Sequence, residues 1–299
     1  MTNPRHLLSI DDLDDDDVAS VLARADDLAA GAAPAARGDR QLLALLFLAS
    51  SMRTRVGFAA AGASVGLSAL TIDELRFEDG MTAAETFADT IRVISGQAAA
   101  IVARTPFELD RKVIAREASV PVINGGDGWN EHPTQALIDL HAIATFAPAT
   151  DALRIGIVGD LRMHVSRSLV RLLARRPIAE LRLIAPPGRD DLGFELPEAL
   201  RSCTLRADHW DTAGLDVIYL AGLPEGGGLL RLDDAGRGAF ALDSKRVAAL
   251  APGAVVLCPL PRIDEISDDA RDHPAVRVFE QSDLGHWVRT AVLEMLLGY

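Results

Sequence analysis

Leu42-Leu43-Ala44-Leu45-Leu46-Phe47-Leu48, followed at once by Ser51-Met52-Arg53-Thr54-Arg55, decides how this chain folds. The first run is apolar throughout, as a strand buried on both faces must be. The pattern from Val56 to about Val65 is helical and ends near Gly66. A strand, a polar turn and a helix in that order make an anion site. The first N–H groups of a helix have no partner within it, and the helix dipole favours negative charge there. Ser51 and Thr54 add hydroxyls, and Arg53 adds a planar fork that can pair two phosphate oxygens. The backbone N–H of Met52 can serve as a further donor. Taken alone, the stretch is equally a capped helix start with solvated arginines.

Working outward, the N-terminal side reads as an opening helix, Leu7 to Ala30, capped near Ser9 or Asp11. The acidic run Asp11 to Asp17 fits a solvated helix start. On the C-terminal side, strands are expected at Ser68–Ile72, Ala98–Ala103 ending on Arg104, and Val120–Asn124 closed by the turn Gly125 to Gly128. Helices are expected at Ala83–Ser95 and Val113–Ala118, with a loop at Asp73–Thr82. Alternation of this kind means a parallel sheet covered by helices, with ligands beyond the carboxyl ends of the strands. Ser51, Arg104 and Asn124 are all read as strand ends.

His132-Pro133-Thr134-Gln135 opens the next helix, which runs to about Phe146, with Pro133 at its first position. His132 and Gln135, three apart, share a face there. Taken alone, His132 reads better as a simple cap. The pattern pauses at Pro148–Ala152, and a second alternating unit follows. Its strands are expected at Leu153–Asp160, Leu181–Ala185, Thr204–Arg206, Asp216–Leu220 and Ala254–Cys258, with a helix from Val165 to Leu173. A last helix, Leu284 to Leu297, is long enough to pack back on the first domain. Gly156 and Gly159 lack the third glycine of a dinucleotide fingerprint, since Arg162 stands in its place, so no NAD site is read.

The 299 residues suffice for two domains, and nearly half are hydrophobic. A net charge of -13 argues against nucleic acid as a general partner. Cys203 and Cys258 have no metal-ligand spacing, and a reducing compartment is expected. No apolar run is long enough to span a bilayer and no signal peptide is read, so a cytoplasmic protein without membrane association is expected.

Together these segments resemble the aspartate/ornithine carbamoyltransferase family, most nearly its aspartate branch. The likeness rests on Ser51 to Arg55, Glu85-Thr86-Phe87-Ala88-Asp89-Thr90, Val102 to Pro106, His132 to Gln135, Gly159-Asp160-Leu161-Arg162, and Cys258-Pro259-Leu260-Pro261-Arg262 with Asp264-Glu265-Ile266. It implies two doubly wound α/β domains bridged by two interdomain helices. Residues 1–147 with 284–299 would bind carbamoyl phosphate, and 148–283 would bind the amine acceptor. It also implies a homotrimer with shared active sites, no cofactor and no metal.

Carried over by position, Ser51, Met52, Arg53 and Thr54 would hold the phosphate, and Arg104 would span phosphate and carbonyl. His132 and Gln135 would address the carbamoyl group, and the carbonyls of Pro259 and Leu260 would accept from its NH2. Catalysis would rest on Arg53, Thr54, Arg104 and His132.

The acceptor side departs from the family. Ala83, with Asp79 and Thr82 nearby, stands where the aspartate branch has a lysine. Gly222 and Pro224 stand where it has arginine and glutamine. Met163 to Arg167 is one residue short, and His164 falls where an arginine is expected. Cys258 replaces a histidine, as in the ornithine branch. Arg162, His164 and Arg167 are the acceptor-side candidates. Losing a cation opposite a carboxylate costs several kcal/mol, about 3–5 when the pair is buried. The expectation is therefore an amine acceptor other than L-aspartate. The alternatives are a true aspartate enzyme in which Arg162, Arg167 or Arg231 compensates, and a non-catalytic relative.

Overall fold

The computed structural model describes residues 4–36, 41–73, 86–224 and 232–299. Ala83, Asp79, Thr82, Glu85, Arg231 and the glycines at 226–228 lie outside the described residues. By internal contacts the chain divides into two units, 1–137 with 284–299, and 138–283. The division falls inside a helix, earlier than the pause at Pro148.

The opening segment is not one helix. Ser9 caps a short 3-10 turn, Ile10–Asp12, and Asp14 caps α1, Asp15–Ala29, each as a reciprocal capping box. The acidic run supports two caps, so it breaks the helix that a single cap would start. Nor is all of it solvated: Asp12 accepts from the backbone N–H groups of Leu8 (2.7 Å) and Ser9 (2.9 Å), and pairs with Arg111.

The first unit then alternates β1 (Leu42–Phe47), α2 (Met52–Ser64), β2 (Ser68–Ile72), α3 (Phe87–Ser95), β3 (Ala100–Thr105), α4 (Arg111–Glu117) and β4 (Val122–Asp127), and α5 (Pro133–Phe146) begins in it. The sheet is parallel, in the order β2-β1-β3-β4. Its chain order reverses between β1 and β3, where such sheets take their ligands. Two features set α2 against β1. A methyl group on Gly62 would come 2.9 Å from Leu43 Cδ2. At the far end Leu67 N–H donates to Gly62 O (2.8 Å) and Gly66 N–H to Ala63 O (3.1 Å), with Gly66 at φ 79, a Schellman stop.

In the second unit come β5 (Leu153–Gly159), α6 (His164–Leu173), β6 (Ile178–Ile184), α7 (Glu198–Arg201), β7 (Thr204–Ala207), β8 (Val217–Gly222), α8 (Asp234–Gly238), α9 (Ser244–Ala248) and β9 (Val255–Leu257). This sheet too is parallel, in the order β7-β6-β5-β8-β9, reversing between β5 and β8. The molecule therefore has two doubly wound parallel sheets covered by helices.

The last helix, α10, spans Val278–Leu297 and starts earlier than Leu284. Its opening turns, Glu280 to Asp283, are polar and hide the helical period. Its residues from 284 onward go with the first unit. Glu294 accepts from Arg24 Nε (2.6 Å) and Ala35 N–H (2.6 Å), and the Arg289 guanidinium lies 5.6 Å from the Phe58 ring centre. Among the described residues, no helix is long and apolar enough to cross a membrane.

Candidate functional site

Beyond β1 the chain turns at Leu48 and Ala49, whose N–H groups both donate to the carbonyl of Arg104, at 2.8 and 3.2 Å. The tips of β1 and β3 are tied together there, and α2 starts from that tie. Ser51 is the residue before α2, in an extended conformation, but its side chain does not cap the helix. The Ser51 hydroxyl instead donates to Thr54 Oγ1 at 3.0 Å. The first turn of α2 therefore carries no acidic residue and no side-chain cap. A helix start in that condition is open to an anion.

Thr54 is buried, and its Oγ1 lies 3.5 Å from His132 Nε2. On its other side the imidazole has Thr134 Oγ1 3.4 Å from Nδ1. His132 sits just before α5, and its carbonyl accepts from Gln135 N–H (3.0 Å) and Ala136 N–H (3.2 Å). The ring is thus more than a cap: it is buried and held between two hydroxyls. Gln135 is half-buried, one helical turn further on.

Arg104 depends on a bulge. β3 and β4 pair Ala103 with Asn124 but Thr105 with Asp127, so Gly125 and Gly126 of β4 stand opposite Arg104 alone and β4 carries one extra residue. The strand continues through these glycines to Asp127. Asn124 is therefore inside β4 and not at its end, and the turn expected at Gly125 begins later. Asn124 is fully buried; it donates to Leu8 O (2.9 Å) and accepts from Gly126 N–H (2.7 Å). Its role is to shape the bulge.

The Arg104 guanidinium lies on the glycines, with Nη1 donating to Gly125 O at 3.0 Å. A Cβ on Gly126, which has φ 106, would fall 1.6 Å from that Nη1. No other residue type leaves room for the arginine. Burial, and next the like charge of Arg53, hold the Arg104 guanidinium below its ordinary pKa, while Asp127 opposes them. Its Nε is buried without a hydrogen-bond partner among the described residues. Asp127 directs its carboxylate at backbone instead, accepting from Leu109 N–H and Glu131 N–H, both at 2.9 Å. Two arginines, two hydroxyls and an imidazole so gathered can bind a phosphate with an adjoining carbonyl. Met52 itself is largely exposed.

In the second unit, Asp160 follows β5 and is fully buried. It binds Arg162 through Nε (3.0 Å) and Nη2 (2.8 Å), and Arg189 through Nη1 (3.1 Å). Arg189 also donates to Pro224 O at 3.0 Å. Arg167 stacks 5.2 Å from the centre of the Phe194 ring, and His164 begins α6. Gly222 has φ 90, and a Cβ there would lie 3.0 Å from Glu265 Oε1. Glu265 Oε2 accepts from the N–H groups of Ile263 (2.7 Å) and Asp264 (3.2 Å), and Arg237 pairs with Asp264. The turn containing Pro259 and Leu260 is braced from that side, with Leu260 at φ 58.

Arg189 and Arg237 do not announce themselves in the sequence, and Asn124, Gly126 and Thr134, though within the segments read there, carry roles that the reading did not give them. The paired glycines inside a strand pattern were the available signal, since they mark a bulge or a close approach.

Two family models match the chain. One, described as the aspartate/ornithine carbamoyltransferase carbamoyl-P binding domain, covers residues 5–145. The other, the Asp/Orn binding domain, covers 151–296. The chain is similar to the aspartate carbamoyltransferase catalytic subunit of Methanocorpusculum labreanum, 33% identical with 98% of each chain covered. It is similar in structure to the catalytic subunit of M. jannaschii aspartate transcarbamoylase, with TM-score 0.83, 29% identity and 98% of each chain covered. It is also similar to Trypanosoma cruzi aspartate transcarbamoylase in complex with carbamoyl aspartate and phosphate, with TM-score 0.83, 25% identity, and 97% of this chain and 95% of that one covered.

Proposed function

Because this chain belongs to the aspartate/ornithine carbamoyltransferase family, we propose that it transfers the carbamoyl group of carbamoyl phosphate to the amine of L-aspartate. The observation that carries the donor half is the Arg104 guanidinium seated on the Gly125–Gly126 bulge, with Arg53, Thr54 and His132 around it. Ser51, Met52, Arg53 and Thr54 take the phosphate. Arg104 spans phosphate and carbonyl, and His132 with Gln135 addresses the carbamoyl group. The carbonyls of Pro259 and Leu260 accept from the carbamoyl NH2.

The neutral amine attacks the carbamoyl carbon. Negative charge grows on the carbonyl oxygen, where Thr54, Arg104 and His132 donate. A donor aimed at such charge is worth about 10²–10³ in rate. The C–O bond to phosphate then breaks, and the proton lost by the amine leaves with the phosphate. Positioning and fixed charge supply the acceleration, and no side chain needs to form a covalent intermediate.

L-Aspartate as acceptor is supported by the names of the relatives and by the carbamoyl aspartate bound to the Trypanosoma cruzi protein. This reverses the acceptor expected from Ala83, Gly222 and Pro224 alone. A second reading, a different amine, is favoured by one observation. Glu265 places a carboxylate beside Gly222, while Arg162 and Arg189 are already bound to Asp160. The two separate in an assay that follows phosphate release and carbamoylated product with L-aspartate and then with a panel of other amines. The proposal expects carbamoyl aspartate in a one-to-one ratio with phosphate. Transfer only to another amine would establish the second reading. Donor binding without transfer to any amine would leave a non-catalytic relative.

A further inference from the structure

A buried polar chain lies behind Pro259 and Leu260, and the chemistry above makes no use of it. Tyr219, in β8, is fully buried, and its hydroxyl donates to Asp139 Oδ2 at 2.7 Å. Gln281, 1% exposed, donates through Nε2 to the other oxygen, Asp139 Oδ1, at 2.6 Å. Its Oε1 accepts the backbone N–H of Cys258 at 2.8 Å. All four residues belong to the second unit.

This chain can be satisfied in one direction only. A carboxylate accepts and cannot donate, so the NH2 end of Gln281 must face Asp139 and its oxygen must face Cys258. Burial, and next the Asp139 carboxylate, hold the Tyr219 phenol well above its ordinary pKa, so it remains a donor. Buried polar groups add little to stability over an apolar replacement, but they fix geometry sharply because each unmade bond is costly.

What is fixed here is the point where the sheet stops. The last pair between β8 and β9 is Tyr219 with Leu257. Gln281 takes the next N–H, that of Cys258, and Pro259 and Leu260 follow. Leu260 holds a left-handed conformation that a leucine adopts only when its surroundings impose it. The turn is clamped on entry by Gln281 and on exit by Glu265 and Arg237.

We propose that Gln281, oriented by Asp139 and Tyr219, is a positioning residue that sets the carbonyls of Pro259 and Leu260 for the carbamoyl NH2, and so lets the protein prefer a carbamoyl-bearing phosphate over phosphate alone. This rests on the carbonyl assignment made above. The test is calorimetric titration with two probes. Phosphonoacetamide keeps the carbonyl and NH2 on a stable phosphonate; inorganic phosphate has neither.

In Gln281→Met, affinity for phosphonoacetamide falls about tenfold, as for one lost hydrogen bond, and affinity for phosphate stays within about twofold. Tyr219→Phe, which keeps the ring and removes one hydroxyl, shifts the same ratio by about threefold and carries the test if Gln281→Met does not fold. An unchanged ratio in a folded variant, or equal loss for both probes, overturns the positioning role. A wild-type protein that binds the two probes equally overturns the carbonyl assignment itself, and the positioning role with it.

Discussion

Each sheet reverses its strand order once, and at each reversal the protein gathers arginines, yet the two places use them in opposite ways. At the tips of β1 and β3, Arg104 donates to a backbone carbonyl, lies on two glycines and has Arg53 for an electrostatic neighbour. The nearby carboxylate, Asp127, is turned to backbone N–H groups. At the tips of β5 and β8, Arg162 and Arg189 both bind one buried carboxylate, Asp160. In the function proposed above, the first arrangement keeps positive charge for a ligand, whereas the second binds it within the protein. An arginine count predicts neither. The carboxylate's distance and its other obligations decide.

The sharpest way to break this comparison is Arg104→Leu. Turnover should fall by about 10²–10³ in kcat/KM, since a donor to the developing charge is gone, while the thermal midpoint stays close to wild type because the Arg104 side chain makes no ion pair among the described residues and bonds only to Gly125 O. A collapse of the fold with little change per folded molecule would instead make Arg104 structural.

A milder test works on the other side, by Gly222→Arg, which places there the arginine expected from the resemblance to the aspartate branch. With φ 90 and the Glu265 carboxylate 3.0 Å from the new Cβ, the substitution should cost about 1–2 kcal/mol of stability, read by urea unfolding, without lowering KM for L-aspartate. A lower KM would show that the absent arginine limits the acceptor side.

The smallest effect concerns the frame of β4. His6 Nδ1 accepts Val122 N–H at 3.1 Å, and burial is the chief cause holding the His6 pKa below its ordinary value. The folded state thus favours neutral His6. Its contribution is fully present above the unfolded pKa, about 6.5, and is lost as pH falls from there toward the folded pKa. Unfolding free energy should drop over that interval. His6→Gln, whose amide oxygen accepts at any pH, should flatten that part of the profile. An identical profile in the variant would remove His6 as the cause.

Much of the fold was legible in the sequence because its signals are local. The strand at Ser68–Ile72 and the helix from Pro133 to Phe146 fall where their patterns put them. The start of α10 was hidden because its first turns are polar. The break between the 3-10 turn and α1 was hidden because Ser9 and Asp14 are both competent caps, each with an aspartate three residues on. Ser51, Arg104 and His132 could be singled out by residue type beside a strand or helix end. The bulge at Gly125–Gly126 could not be placed, since it exists only in the register between β3 and β4. Likewise the pairing of Asp160 with Arg189 joins residues that no short pattern links.

Direct titration of the wild-type chain with carbamoyl phosphate tests whether the Arg104 cluster is a donor site. A donor site there gives saturable binding, one molecule per chain, competed by inorganic phosphate and greatly weakened in Arg104→Leu. Failure to bind, or binding that Arg104→Leu leaves untouched, would contradict it.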